Sequence, residues 1–379
     1  MKAGWSITAL GELCDILDRL RKPITKRDRI SGKYPYYGAT GILDYVATYI
    51  FDEKLVLIGE DGAKWGAGEN TAFLAEGKYW VNNHAHVIRP NKSMVLDNWL
   101  IYYLNASDLS PFITGLTVPK LNQEKLRNIP IPIAPIKKQQ QIVAILDEAF
   151  AEIDKAKELA AKNLQNAREL FESYLNEIFT KTSEGWEVQP LGEIAELIDS
   201  LHKTPKYVEN GEYPMVRVTD LKNGVIDLKK ARRVDKSTYE EFSKRHKPNI
   251  GDLVLSRVGT YGLPAVVESD EDFCLGQNTV FIVPTIDSYW LYSFLISPNA
   301  KKQIDSLVEG TTQPTISLKS IKKISISIPP KGELANAKLK IQKITSQTQS
   351  LESLYQLKLK ALDELKQSLL QKAFAGELT

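Results

Sequence analysis

The residues best suited to chemistry sit in Asn82-Asn83-His84-Ala85-His86, where alternating histidines can share one side of a strand and bind a cation. No further His, Asp or Cys stands at a ligand spacing beside them. A second stretch of like pattern, Gln277-Asn278-Thr279-Val280, has no histidine, so a metal chemistry common to both stretches is excluded. The glycine-rich turns Gly59-Glu-Asp-Gly62-Ala-Lys-Trp-Gly66 and Gly259-Thr-Tyr-Gly262 follow apolar runs. Neither has the GxxxxGK[ST] of a phosphate-binding loop or the GxGxxG of a dinucleotide site. There is no Asn-Pro-Pro-Tyr or Asp-Pro-Pro-Tyr tetrapeptide of the kind that accompanies amino-methylation of an extruded base. No catalytic constellation emerges.

Binding chemistry is better represented. Arg19, Arg21, Lys22, Lys26, Arg27, Arg29 and Lys33 form one basic cluster, opposed in that stretch only by Asp28. Lys229, Lys230, Arg232, Arg233, Lys236, Lys244, Arg245 and Lys247 form another. Such clusters neutralise phosphates, although a solvated charged face is the bland reading of each. Base edges are matched by the donors and acceptors of Arg, Lys, Asn, Gln, Ser and Thr on stiff turns. Candidates are Lys64-Trp65, Asn82-Asn83-His84, Thr117 to Lys120, Lys203, Arg217 to Thr219, Arg257 with Thr260 and Tyr261, Gln277-Asn278, and Thr311-Thr312-Gln313. Taken singly, each is equally well a turn or core contact.

These candidates come in pairs because the chain is written twice. Gly115-Leu-Thr-Val-Pro119-Lys-Leu121, followed by Ile129-x-Ile131-x-Ile133-x-Pro135, returns as Gly310-Thr-Thr-Gln-Pro314-Thr-Ile316 and Ile324-x-Ile326-x-Ile328-x-Pro330. The shift of 195 persists to Phe179 and Phe374. Upstream, Trp5, Leu10-Gly11-Glu12-Leu13 and Asp18 match Trp186, Leu191-Gly192-Glu193-Ile194 and Asp199 at a shift of 181, so loops of unequal length lie between.

Each copy ends in a helix. Ile142, Ile145, Leu146, Ala149, Ile153, Ala156, Leu159 and Ala160 open an apolar stripe that recurs by threes and fours to Ile178. Leu339 to Leu370 repeats it, without Gly or Pro in either run. At 1.5 Å per residue each helix spans ~60 Å, too long for one core to cover. The stripes are therefore expected to bury against each other. Connectivity implies an antiparallel pair with one head at each end, and the C-terminal Phe374-Ala-Gly-Glu-Leu378 returning to the N-terminal segment. The heads, with short β-rich runs such as Leu55-Val-Leu-Ile58 and Thr279-Val-Phe-Ile-Val283 and brief helices near 98–105 and 289–295, read as α+β.

Composition agrees with a globular chain: 379 residues, 43% hydrophobic, 25% charged, net charge +2. Any nucleic-acid site must come from local clustering. Two cysteines, Cys14 and Cys274, supply neither a disulfide framework nor a zinc site, and no apolar stretch approaches the ~18 residues of a membrane span. The start Met1-Lys-Ala-Gly-Trp-Ser has no signal-peptide character, and a cytoplasmic location is expected.

In ordered duplicate, these motifs resemble the DNA specificity subunit of type I restriction and modification enzymes. The carriers are Trp186-x4-Leu191-Gly192-Glu193-Ile194 and its Trp5 twin, the turns Tyr34-Pro35-Tyr-Tyr-Gly38-Ala-Thr-Gly41 and Tyr213-Pro214, and the Gly115 and Gly310 blocks. Gln140-Gln141-Ile142-Val143 and the ending Phe374 to Leu378 belong with them. The resemblance implies two α/β target recognition domains, 1–135 and 182–330, each reading part of a split, asymmetric site in double-stranded DNA. It implies a pseudo-twofold repeat joined by antiparallel coiled-coil helices, 136–181 and 331–379, that set the unread spacer and dock two methyltransferase subunits. S-adenosylmethionine, ATP and Mg would belong to those partners and to the motor subunits, and this chain would be no enzyme. At the second helix start, Lys331-Gly-Glu-Leu-Ala-Asn-Ala departs from the Gln-Gln-Ile-Val pattern. A free-standing nuclease or methyltransferase and a protein-binding adaptor are the competing readings.

Overall fold

The computed structural model describes residues 4–115, 117–180, 184–310 and 312–378. Leu116 and Thr311 of the two turn blocks, and the first three residues, lie outside them.

Two helices, Ile136–Thr180 and Lys331–Phe374, follow the apolar stripes. The chain divides into two compact units, residues 1–161 with 356–379 and residues 162–355. Each unit therefore holds a head plus one half of each helix. In the first unit Lys157 pairs with Asp363 at 2.6 Å and Lys366 with Asp154 at 3.8 Å. Partner numbers rise as the first helix is read backwards, which is antiparallel packing. In the second unit Arg168 pairs with Glu352 at 2.6 Å, while Leu175 and Ile341 share one core. Tyr174 and Ala337 flank that core, continuing the same sense.

In the first head a four-stranded antiparallel sheet runs in the order Cys14–Ile16, Ala85–Pro90, Leu55–Gly59, Ala72–Ala75. Its inner strand Leu55–Gly59 is apolar at every position because both faces are covered. Val56 and Ile58 pack with Trp99, while Leu55 and Leu57 pack with Phe51 and Tyr79. A second sheet, Gly41–Val46, Ser31–Gly38, Lys78–Val81 and Phe51–Asp52, contains one parallel pairing, Tyr36 with Trp80. The second head repeats the plan with Ala195–Asp199, Thr279–Pro284, Leu253–Ser256 and Pro264–Val266 in one sheet. Its smaller sheet joins Arg232–Val234, Tyr213–Val216 and Cys274–Leu275. The α+β expectation for the heads matches these elements.

The repeat holds at the level of single bonds. Ser6–Ala9 pairs with Pro130–Ile133 and Glu187–Pro190 with Ser325–Ile328 in the same register, Thr8 opposite Ile131 and Gln189 opposite Ile326. The Trp99 indole N–H donates to the Pro132 carbonyl at 2.9 Å, and the Trp290 indole to the Ser327 carbonyl at 3.1 Å. Trp5 and Phe374 flank Trp99 as Trp186 and Phe179 flank Trp290. The C-terminal segment thus closes the first head as the first helix's end closes the second. Gln139, fully buried, donates to the Met94 and Ala134 carbonyls and accepts from the Leu96 N–H. Leu334 stands 195 residues later and packs on the second core instead.

Candidate nucleic-acid interface

The strand end at Gly59 and the strand start at Ala85 meet edge to edge, and beside them the Glu60 carbonyl accepts the Leu121 N–H at 2.8 Å while its carboxylate meets cations. Its carboxylate pairs with Arg21 and, at 2.8 Å, with Lys120. Asp18 accepts the Val87 N–H at 2.9 Å and meets His86 Nδ1 at 2.6 Å; His86 Nε2 lies 2.7 Å from the Leu121 carbonyl. Burial by itself would raise both acids. The hydrogen bonds and charges of His86 and Arg21, the Val87 N–H on Asp18 and the Lys120 ammonium on Glu60 outweigh it, and both stay below the ordinary carboxylate range.

Asp18, Glu60 and His86 bring their ligand atoms within 4.8 Å of one another, a grouping the sequence did not reveal because the three lie on separate segments. Those atoms are engaged by Arg21, Lys120, Val87 N–H and Leu121 O, so the cluster is an internally neutralised ionic node. The second head builds the same node from different residues. Arg257 Nη1 lies 2.5 Å from Asp199 and its Nε donates to the Ile316 carbonyl at 3.2 Å, so one arginine spans the two positions that His86 spans. Isolated bridges Asp61 with Lys120 and Val258 with Thr315 mark the same crossing.

Several candidates are tied to partners within their own head. The Arg21 and Arg257 side chains are 13% and 11% exposed, held in ion pairs, and stand where a base reader would have to be free. Asn82 is buried and uses its Oδ1 to accept the His84 N–H, shaping the turn. Lys120 divides its charge between Glu60 and Asp61, while His84 faces Asp61 and is half exposed. Tyr261 donates to Asp305 at 3.1 Å. Lys203 pairs with Glu241 at 2.5 Å. Arg29, from the first basic cluster, lies over the Tyr36 ring at 4.4 Å and pairs with Asp44.

Others are presented. Arg19, Lys22, Lys26, Arg27, Lys64 and Asn83 are exposed on the first head. Among the described residues, Arg19, Lys22 and Lys26 make no ion pair within 4.0 Å. Arg27 and Lys64 have only local partners, Asp28 at 3.2 Å and Glu69 at 3.7 Å. On the second head Thr260, Thr312 and Gln313 are exposed at turns.

Four candidates converge in the second head. Arg217, Thr219, Gln277 and Asn278 line one cavity of ≈ 250 Å3 with Thr204, Pro205, Tyr207 and Val218. Asp220 fixes Arg217 by two bonds of 3.1 Å from its guanidinium. Asn278 is held at φ 70°, a left-handed conformation that turns the chain sharply beside Gln277. Tyr207, under the Arg232 guanidinium at 4.8 Å, was not among the candidates. Its only sequence signal was Lys203-Thr-Pro-Lys206-Tyr207, a Pro turn with an aromatic between lysines.

A model of the type I restriction modification DNA specificity domain matches residues 2–163 and again 183–369. The chain belongs to that family. A Haemophilus influenzae protein named as a type I restriction enzyme specificity subunit is 30% identical over 334 residues, 86% of this chain and 83% of the relative. The MjaVIII specificity subunit of Methanocaldococcus jannaschii is 22% identical over 96% of this chain and 90% of its own length. In fold the chain is similar to a solved chain from work on complex assembly in the type I R-M system, with a TM-score of 0.76 at 18% identity, covering 100% and 99% of the two chains. It is also similar to the HsdS subunit of Thermoanaerobacter tengcongensis, with a TM-score of 0.56 at 18% identity over 100% and 98%. As a member of the specificity family this chain is a DNA-recognition component and not itself the enzyme. No helix among the described residues is long and apolar enough to cross a membrane.

Proposed function

We propose that each unit reads one half of a bipartite, asymmetric DNA site, and that the paired helices fix the number of unread base pairs between the halves. One observation carries this. The two heads share frame, register and ionic node, yet the turns on that frame differ: Asn83-His84 and Lys120 in one, Gln277-Asn278 and Thr315 in the other. Like frames with unlike readers suit two different half-sites. Each correct base contact is worth ~1 to 3 kcal/mol, so a single small head discriminates weakly, and a linked pair gains effective concentration for the second contact.

Two methyltransferase subunits are the proposed partners. Leu159 and Leu354 are 56% and 57% exposed, and Leu170 and Leu365 are 64% and 47% exposed; both pairs are related by the shift of 195. Ile7 and Val188, facing solvent at 59% and 61%, are related by 181. Apolar surface repeated in this way fits two copies of one partner. S-adenosylmethionine is proposed to reside on those subunits, and ATP and Mg on motor subunits that add translocation and cleavage.

The test is genome-wide methylation mapping in a host expressing this chain with its methyltransferase subunit, against that subunit alone. Methylated adenines confined to a two-part motif of constant spacer, only when this chain is present, are expected. An active methyltransferase without any chain-dependent motif would move the assignment to a protein-binding adaptor.

A further inference from the structure

The two heads differ at one corner of the smaller sheet. The parallel pairings of Tyr37 with Val81 and of Val216 with Leu275 make the next residues equivalent, Gly38 with Arg217 on one strand and Asn82 with Gly276 on the other. The backbone bond at this corner is kept, Asn82 N–H to the Tyr37 carbonyl at 3.0 Å and Gly276 N–H to the Val216 carbonyl at 2.8 Å. The corner has room for one of the two side chains. A Cβ at Gly38 would stand 2.3 Å from Leu43 Cδ1 and 3.3 Å from Asn82 Nδ2, and a Cβ at Gly276 would stand 3.0 Å from Arg217 Cγ. The first head gives the space to Asn82, the second to Arg217.

Arg217 differs from the arginines of the ionic nodes in what it has left to offer. Arg257 commits Nε to the Ile316 carbonyl and Nη1 to Asp199, and Arg21 donates from Nε and Nη1 to Asp18, Glu60 and Ala85. In Arg217 the Nε–H and one Nη2–H go to the Asp220 carboxylate at 3.1 Å each, and the Arg217 backbone N–H donates to the same carboxylate at 2.9 Å. Nη1 makes no hydrogen bond to any described residue, and the side chain is 29% exposed. Arg217 lines the cavity of ≈ 250 Å3 shared with Gln277, which no acidic side chain lines. Lys206 and Arg232, beside its Tyr207 wall, are exposed and make no ion pair within 4.0 Å among the described residues.

We propose that Arg217, buttressed by Asp220, reads the guanine of one base pair in the half-site of the second head. The outer edge of its guanidinium carries one N–H on Nη1 and one on Nη2, parallel to each other. Guanine presents O6 and N7 as a matching pair of acceptors in the major groove, and no other base offers two acceptors there. The carboxylate on the inner edge fixes the plane of the fork, so little side-chain freedom is lost on contact. Lys206 and Arg232 supply phosphate contacts around it. The first head, with Gly38 at the equivalent position, has no such reader, which makes the two half-sites unlike. This inference rests on the reading of each head as recognising one half-site.

The test uses the full chain assembled with its methyltransferase subunit and a duplex library randomised across both half-sites. The paired variant Arg217→Ala, Asp220→Asn removes the reader without leaving a buried charge alone. Its preference at a single G·C pair should fall by about 5- to 150-fold, with the other half-site and the spacer preference unchanged. Arg217→Lys, which keeps the charge and loses the planar fork, should lose most of the same preference. With 7-deazaguanine placed at each guanine of the motif in turn, the native chain should lose affinity comparably at that position, and the paired variant should not. Inosine, which keeps O6 and N7, should be tolerated there. The base-analogue comparison acts on the native chain and decides the matter even where a variant unfolds. Unchanged preference in the paired variant, full retention by Arg217→Lys, a uniform loss over all sequences with a shallower salt dependence, or indifference of the native chain to every 7-deaza substitution would each overturn the assignment. A native complex without any two-part motif would instead overturn the half-site reading itself.

Discussion

Replacing Arg257 separates the structural role of the ionic node from a role in base reading. Arg257 and Asp199 are 11% and 14% exposed, with Arg257 also tied to the Ile316 carbonyl. Arg257→Met leaves Asp199 buried with only exposed His202, at 3.0 Å, and the backbone contact of Arg245 nearby. Breaking a buried pair from one side costs about 3–5 kcal/mol, far above an exposed pair's about 0–1. For a unit of the size of 162–355, roughly 2–4 °C is lost per kcal/mol, so its thermal transition should fall by roughly 6–20 °C. The double variant Asp199→Asn, Arg257→Met should be less destabilised than the sum of the single effects, because the unpaired charge is gone. Scanning calorimetry gives the transition, and duplex anisotropy well below it gives affinity, expected to change less than about twofold. A base-reading arginine behaves oppositely, losing about 5- to 150-fold in affinity with stability unchanged. That second pattern would refute the assignment of Arg257 to the node.

The first head should be acid-sensitive through Asp18 and Glu60. Both have folded pKa values below ordinary ones, so their contribution is complete above about pH 5 and is lost as pH falls through the depressed values; urea midpoints against pH should drop in that window for the native chain and less for Asp18→Asn. Trp99→Phe and Trp290→Phe should each destabilise their own unit, by about 1–3 kcal/mol, since each leaves one carbonyl without its indole donor, with the larger loss at the buried Ser327 carbonyl; a calorimetric shift absent from either would break the equivalence. Asn278→Gly should preserve stability while Asn278→Ala costs about 1 kcal/mol, because Ala lacks the short polar side chain that lets Asn adopt φ 70°, measured by denaturant midpoints. Deleting seven residues from both long helices removes ~10 Å, about 3 base pairs of rise, and should shift the preferred spacer or abolish binding; an unchanged preference in a randomised-spacer selection would sink the ruler function.

Much was legible in the sequence because it depends on periodicity and repetition. The stripes by threes and fours marked long helices, and Leu55-Val-Leu-Ile58 marked a β-rich run, whose cover on both faces only the structure shows. Identical spacing of Gly115 and Gly310 blocks announced two like heads, since register in a two-stranded ribbon follows sequence position directly. The closure of the first head by Phe374 followed from the matching role of Phe179. What tertiary structure alone decided was the direction and company of each polar side chain. Arg21, Lys120 and Arg257 look in sequence like the free cations beside them, and are held in ion pairs because Glu60 and Asp199 come from distant segments to meet them. His86 and Arg257 perform one task from different segments, an equivalence no alignment of the two halves displays because the pair of acceptors bridged, and not the position of the side chain that bridges them, is kept. Sequence fixes which local shape is cheapest; the pairing of buried charges depends on segments whose meeting only the folded chain creates.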